Sequence, residues 1–451
     1  MKVTQYMTTQ QQAFVKKPVF PSTPMGGALT VTAESTCLSR DFLGFGVAIT
    51  GSSCYLLSTM QPTQRREFLE DIYTDKGLDL SVARLSVGSS DYSAELYSYD
   101  DVENDVELKH FSIERDKAYI IPMIREILAV KPDLYLFASP WSPPGWMKTG
   151  GSMCGGYMRE EFLECYADYY VRFLQEYEKC GIHISALTPQ NEPETHQKGK
   201  MPACMWHPDL EAKFIRILRK KLDEQGLDVK IWMYDHNFVA CDYRVRWMLD
   251  QCKGLSKACD GIAFHYYEGA IEQTHALRAA YPNLRMHFTE GGPRLYDHYS
   301  TDFCKWGIMM CKALNLNFGS FTGWNLMLDE TGGPNIGPFF CGGLVTRNSE
   351  DGPLSYSGQY RAFSHISKFM QPGATVRATC ISDNTSGMFE YPAALPPLHA
   401  TLLENPDGSR IYILVNPDEK KKKQVQLNLN GTYHYVELLP DSISTVVVEK
   451  D

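Results

Sequence analysis

At 451 residues, with 43% hydrophobic and 22% charged side chains, the chain has the makeup of a globular protein larger than one ordinary domain. A net charge of -10 argues against a nucleic-acid partner, and no run of about 18 apolar residues offers a membrane span. The opening segment MKVTQYMTTQQQAFVKK lacks the apolar core of an export signal, and the thirteen cysteines form no CxxC pair, so reduced thiols in a cytoplasmic protein are expected.

Residues 1–40 show no helical period; VTAESTC could add a strand to another domain. From about 41 to 370 short apolar runs alternate with amphipathic stretches, the rhythm of a parallel (β/α)₈ barrel. Eight strands are predicted: 44–50, 81–87, 134–140, 185–190, 229–235, 261–267, 285–290 and 320–326. The clearest intervening helix runs from Arg159 to Cys180, where Phe162, Tyr166, Tyr169, Phe173 and Tyr177 recur every three or four positions and Gly181 ends it. From about 371 to 451, β-branched and alternating segments (410–416, 424–430, 443–449) separated by Asn-Pro-Asp-Gly and Asn-Gly predict an accessory antiparallel β-sandwich, joined by part of 1–40. The run Lys420–Lys423 reads as a solvated hairpin tip.

In such a barrel the working residues sit at the C-terminal strand ends. Here those ends carry Asp91, Trp141 with Trp146, Asn191 with Glu192, Asp235 with His236, His265 with Tyr267, Glu290, and Trp324 with Asn325. Surface polar residues at loop starts account for the acids but not for the tryptophans converging beside them. Strands four and seven lie on roughly opposite arcs, so Glu192 and Glu290 can face each other across a bound sugar. Glycoside hydrolysis by double displacement needs two such carboxylates, one attacking the anomeric carbon and one protonating the leaving oxygen. Trp146 reads as a wall residue, and Asp235 and His236 as a supporting hydrogen-bond network.

The segments ASPWSPPGWMKT, TPQNEPE, TEGG, TGWNLMLDETGGPN and FSHISKFMQPGA, in this order, resemble glycoside hydrolase family 30. The resemblance runs from about Gly44 to the C-terminus and is closest to the branch containing the lysosomal glucosylceramidases. It implies Glu192 as general acid/base, Glu290 as nucleophile and Asn191 as a ligand of the sugar 2-hydroxyl. It also implies Arg84 beside the nucleophile, Asp91 on outer sugar hydroxyls, Trp141 and Trp324 around the terminal sugar, and Tyr267 bonded to the nucleophile. His265 is expected at the substrate, with Asn325, Asp235 and His236 in support. The chain departs from that branch at Gly291 and Gly292 after the nucleophile, and at Gly323, where the lysosomal enzymes carry an aspartate.

The expected activity is therefore a retaining exo-β-glycosidase acting on a small soluble β-glucoside. Exo-acting β-xylosidase or β-fucosidase, a β-1,6-glucanase, and a carbohydrate-binding protein without catalysis are the alternatives. No metal or organic cofactor is expected, since no HExxH, P-loop or Rossmann fingerprint is present. The oligomeric state is left open.

Overall fold

The computed structural model describes residues 1–349, 352–383 and 398–450. Eight parallel strands close into a barrel in chain order: Gly44–Ala48, Val82–Ser86, Tyr135–Ser139, Ala186–Leu187, Lys230–Asn237, Gly261–His265, Arg285–Glu290 and Ser320–Gly323. All eight fall within the predicted runs or extend them slightly, and Ser320 pairs with Gly44 to seal the ring. Below the mouth the barrel is filled by Val82, Phe137, Ala186, Trp232 and Ala263, and Trp232 stacks on His287 with ring centroids 3.7 Å apart. This solid floor confines any substrate to the C-terminal end.

The helices pack against the outside of the ring. Leu163–Lys179 packs Tyr166, Tyr169, Tyr170, Phe173 and Tyr177 inward, and Gly181 takes the left-handed φ of +75° that lets the chain turn away.

Two bulges shape the barrel mouth. In the fifth strand Tyr234 pairs with Ala263 and His236 with Phe264, leaving Asp235 as an inserted residue; Tyr234 and Asp235 have φ of +78° and +64°. In the seventh, Phe288 pairs with Phe264 and Glu290 with His265, so Thr289 is inserted. A regular strand sends neighbouring side chains to opposite faces; an inserted residue re-aims them.

The accessory domain draws more on the N-terminal segment than its sequence suggests. Four strands from residues 1–40 (Val3–Thr8, Val15–Val19, Pro21–Ser22 and Leu29–Ser39) join six from the C-terminal part in one ten-stranded sheet. The sheet folds over a shared core that includes Val31, Leu402, Leu414, Leu427 and Val446. Pairing is antiparallel except between Leu29–Ser39 and Lys423–Leu429, which run parallel. Val3–Thr8 pairs with Ser442–Val448, so the first and last strands are neighbours. Asn430 and Gly431 turn with φ of +57° and +91°, the hairpin geometry expected of Asn-Gly.

The lysine run is not a hairpin tip. It links Arg410–Asn416 to Lys423–Leu429, strands that do not neighbour each other in the sheet, and Lys423 is buried. The barrel and sandwich meet tightly at Gly307, where a side-chain Cβ would come within 2.7 Å of Ile443 Cδ1. His365, on the last barrel helix, hydrogen-bonds Thr445 (2.9 Å) and Thr8 (2.7 Å) with its two ring nitrogens.

Candidate active site

The barrel mouth holds a cavity of about 580 Å³. Its lining includes Asp91, Trp141, Asn191, Glu192, Glu290 and Trp324, together with His236 and Tyr267. Arg84, Asp235 and His265 lie beneath it, wholly buried, and tie the lining together. This follows from strand position: side chains at the strand tips reach the cavity, whereas those one layer down face the barrel axis.

Arg84 is the hub. Its guanidinium donates to Glu290, to Asn191 Oδ1 (2.8 Å), to Asp235 Oδ2 (2.7 Å) and to Ser139 Oγ (3.1 Å). It also lies over the Trp141 ring at 4.8 Å. Because Arg84 occupies the amide oxygen of Asn191, the Asn191 NH₂ is left to face the cavity as a donor. Asp235 accepts in addition from Thr188 and Thr289, each at 2.7 Å. Burial opposes its charge, but Arg84, His265 and Thr289 outweigh that cost and hold the carboxyl far below the usual range.

An oxygen of Glu192 and an oxygen of Glu290 lie within 4.8 Å of each other. Retaining glycosidases hold their carboxyl groups about 5–5.5 Å apart, whereas inverting ones need roughly 6.5–9.5 Å. The two acids have different surroundings. Glu290 faces Arg84, and burial together with the Glu290 charge raises the Tyr267 phenol well above its ordinary pKa. Glu192 faces two imidazoles, His265 Nδ1 at 3.2 Å and His236 Nε2 at 3.6 Å, and accepts from Gln197 Nε2 at 2.8 Å. Burial works against its charge, yet the histidines and Gln197 prevail and hold Glu192 below the usual carboxylate range. Burial likewise disfavours charge on His265, but Glu290 and Asp235 outweigh it and raise its pKa to about 9.

One wall of the cavity is aromatic. Trp141 and Trp324 stack at 5.2 Å with 20° between their planes. Asp91 stands beside them with one carboxylate oxygen lacking any hydrogen-bond partner. Burial, then the charges of Glu290 and Glu192, raise its carboxyl well above the usual range. Behind it the loop at Ile336 and Gly337 closes the wall: Ile336 N–H donates to the Asp91 carbonyl (2.8 Å), and a Cβ at Gly337 would approach the Asp91 Cβ to 2.8 Å.

Three of the residues singled out in the sequence lie away from the cavity lining. His265 does not line the cavity; it is wholly buried, bridging Asp235 (3.0 Å) and Glu192, because the sixth strand carries it one layer below the lining. Asn325 is also fully buried and away from the cavity, in a left-handed conformation (φ +58°) that directs its amide oxygen to Thr50 Oγ1 at 3.0 Å. Trp146 is a support for other walls, its indole N–H donating to the Asp100 carbonyl (3.0 Å) and its ring set edge-on to Phe162.

The outer lining was missed by motif reading: Glu194, Gln197 and Tyr243 on one side, Arg294, Tyr296 and Phe340 on the other. Most come from loops, and Gln197 and Tyr243 from short helical turns, where no periodicity marks them; only Glu194, inside TPQNEPE, carried a signal. At Gly323, a Cβ would meet Gln359 Oε1 at 2.5 Å, so Gln359 occupies the space that an aspartate there would need.

The glycosyl hydrolase family 30 TIM-barrel domain matches residues 42–370. An endo-1,6-beta-D-glucanase of Neurospora crassa is 28% identical, over 91% of this chain and 86% of that protein. The lysosomal acid glucosylceramidase of Mus musculus is also 28% identical, over 87% of this chain and 78% of its own. The solved structure of the endo-beta1,6-glucanase BT3312 superposes with a TM-score of 0.86 at 28% identity, covering 99% of this chain and all of that one. With the family domain spanning the barrel, and a glycoside-hydrolase fold along its whole length, this chain belongs to glycosyl hydrolase family 30.

Proposed function

We propose that this enzyme is a retaining exo-β-glucosidase, with Glu290 as nucleophile and Glu192 as general acid/base. The observation that supports the exo reading is the wall of Asp91, Trp141 and Trp324 beside the two carboxylates, backed by the loop at Gly337. Asp91 meets the outer hydroxyls of that sugar, and the Asn191 amide donates to its 2-hydroxyl. Glu290, paired with Arg84, attacks the anomeric carbon. Glu192 and His265 share one proton across 3.2 Å. A bound sugar excludes water from Glu192, favours its neutral form and so places the proton where the leaving oxygen needs it. The anionic Glu192 then deprotonates the water that releases the sugar.

Exposed rings at the outer end (Tyr243, Tyr296, Phe339 and Phe340) favour one second reading, an endo-acting β-1,6-glucanase with further sugars lying across them. A β-1,6-linked glucose tetramer labelled at its reducing end separates the two. Glucose as the first unlabelled product supports the exo reading; gentiobiose or larger fragments overturn it. In either case proton NMR of the first product should show the β-anomer. All thirteen cysteines carry free thiols, eight of them buried, which supports a reducing cytoplasmic setting.

A further inference from the structure

The bulge in the fifth strand does more than deliver Asp235 to Arg84. It turns the next residue, His236, onto the cavity wall as well. There the His236 ring lies between two carboxylates: Nε2 is 3.6 Å from Glu192 Oε1, and Nδ1 is 3.7 Å from Glu194 Oε2. His236 Nδ1 is buried and makes no hydrogen bond. The oxygen of Glu192 that it approaches is the one His265 also approaches. The bulge fixes Glu192 too, because the Asp235 carbonyl accepts from the Glu192 N–H at 3.1 Å.

Glu194 is itself held. The Tyr234 hydroxyl donates to it at 3.1 Å, the Tyr243 hydroxyl lies at 3.5 Å and the Arg244 guanidinium at 3.9 Å. Arg244 is anchored in turn on the fully buried Glu211 at 2.6 Å. The charged and titratable groups around His236 are thus Glu192 and Glu194 from the fourth-strand loop, Tyr234 and Asp235 from its own strand, and His265 from the sixth. Tyr243 and Arg244 follow from the next helical segment, and Glu268 lines the same cavity.

We propose that His236, oriented by Glu194, is a positioning residue that sets the proton affinity of Glu192 and thereby the alkaline limit of activity. The inference rests on Glu192 being the acid/base of the preceding section. A cationic imidazole 3.6 Å from Glu192 stabilises its anion. The neutral Glu192 carboxyl is then a stronger acid toward a poorly acidic alcohol leaving group, and Glu194 braces the His236 ring from its far side. The step moves one proton, from Glu192 to the departing oxygen, and His236 exchanges none. Nor does a plain wall residue require a carboxylate braced by Tyr234 and Arg244 on its far side.

The test is the pH profile of kcat, which reports the enzyme–substrate complex, for a β-glycoside that the wild type cleaves, with Glu192 followed in parallel by carboxyl ¹³C NMR of the free enzyme. In His236→Asn the alkaline limb and the Glu192 titration should both move up by about one pH unit. Glu194→Gln should move them the same way by less, and unfolding temperatures should stay near that of the wild type. Unmoved limbs in both variants, or a rise in KM alone, would overturn the proposal and make His236 a sugar contact or a packing residue. The NMR titration needs no turnover: a shift there in a protein that cleaves no β-glycoside would fault the proposed function and leave standing only the control of Glu192 proton affinity by His236.

Discussion

Arg84 and Asp235 meet at 2.7 Å with both side chains fully removed from solvent. Such a pair contributes little net stability when intact, because two desolvated charges must be repaid by their attraction. Breaking it is another matter. Arg84→Met leaves His265 as the remaining cation beside Asp235 and Glu290 and should destabilise the fold by about 3–5 kcal/mol, read by urea unfolding. Arg84→Lys should retain part of the stability while losing most of kcat/KM, since an ammonium cannot reach Glu290, Asn191 and Asp235 together. Equal stability of the Met variant and the wild type would show that the hub has no structural role.

His265 gives a pH dependence whose sign follows from its surroundings. Its folded pKa, raised to about 9, lies above the ordinary 6.5. The protonated form is therefore favoured by folding; this stability is fully present below about pH 6.5 and is lost as pH rises through about 9. The loss should be on the order of 3 kcal/mol, seen as falling unfolding free energy across that interval. His265→Gln should abolish the slope. A wild type equally stable at both ends of the interval would refute the assignment.

The two carboxylates should separate by the stereochemistry of azide rescue. Glu192→Ala retains the nucleophile, so an aryl β-glucoside with an acidic phenol should still form the glycosyl-enzyme, and azide should release the β-glycosyl azide. Glu290→Ala opens the opposite face, and azide entering there should give the α-glycosyl azide. Product NMR decides: the reverse pairing would exchange the roles of Glu192 and Glu290.

Gly323 tests the departure from the lysosomal branch. Gly323→Asp would press a carboxylate toward Gln359, whose Oε1 would stand 2.5 Å from the new Cβ. A cost of about 2 kcal/mol in chemical denaturation is expected, relieved in the double variant Gly323→Asp with Gln359→Ser. If the single variant were as stable as the wild type, Gln359 would have to be free to move aside.

The barrel was legible because its strands are short β-rich runs between amphipathic helices, and because polar and aromatic residues accumulate at one end of all but the first. What escaped was the geometry that departs from those periods. Asp235 and His236 are adjacent, and an alternating strand would part them; only the inserted residue, with Tyr234 at φ +78°, brings both to the site. His265 could be assigned to the mouth but not to its depth, since depth is set by strand stagger. The segment VTQYMT gave no clear alternation, yet it is a strand because its partner Ser442–Val448 lies at the far end of the sequence. Lys420–Lys423 looked like a turn because charge marks solvent, and charge does not say which strands a connection joins.

The pairing of the first strand with the last gives the chain a particular order of assembly. Lys2 and Glu449 form an ion pair although 447 positions separate them. Synthesis at about 5–20 residues per second leaves the opening strands waiting on the order of tens of seconds for that partner, with their edges unsatisfied. The barrel between them has time to form first, from contacts that are mostly closer in sequence. The small domain is in this sense a clasp, fastened only when the final strand arrives, and His365 on the barrel touches both sides of the closure.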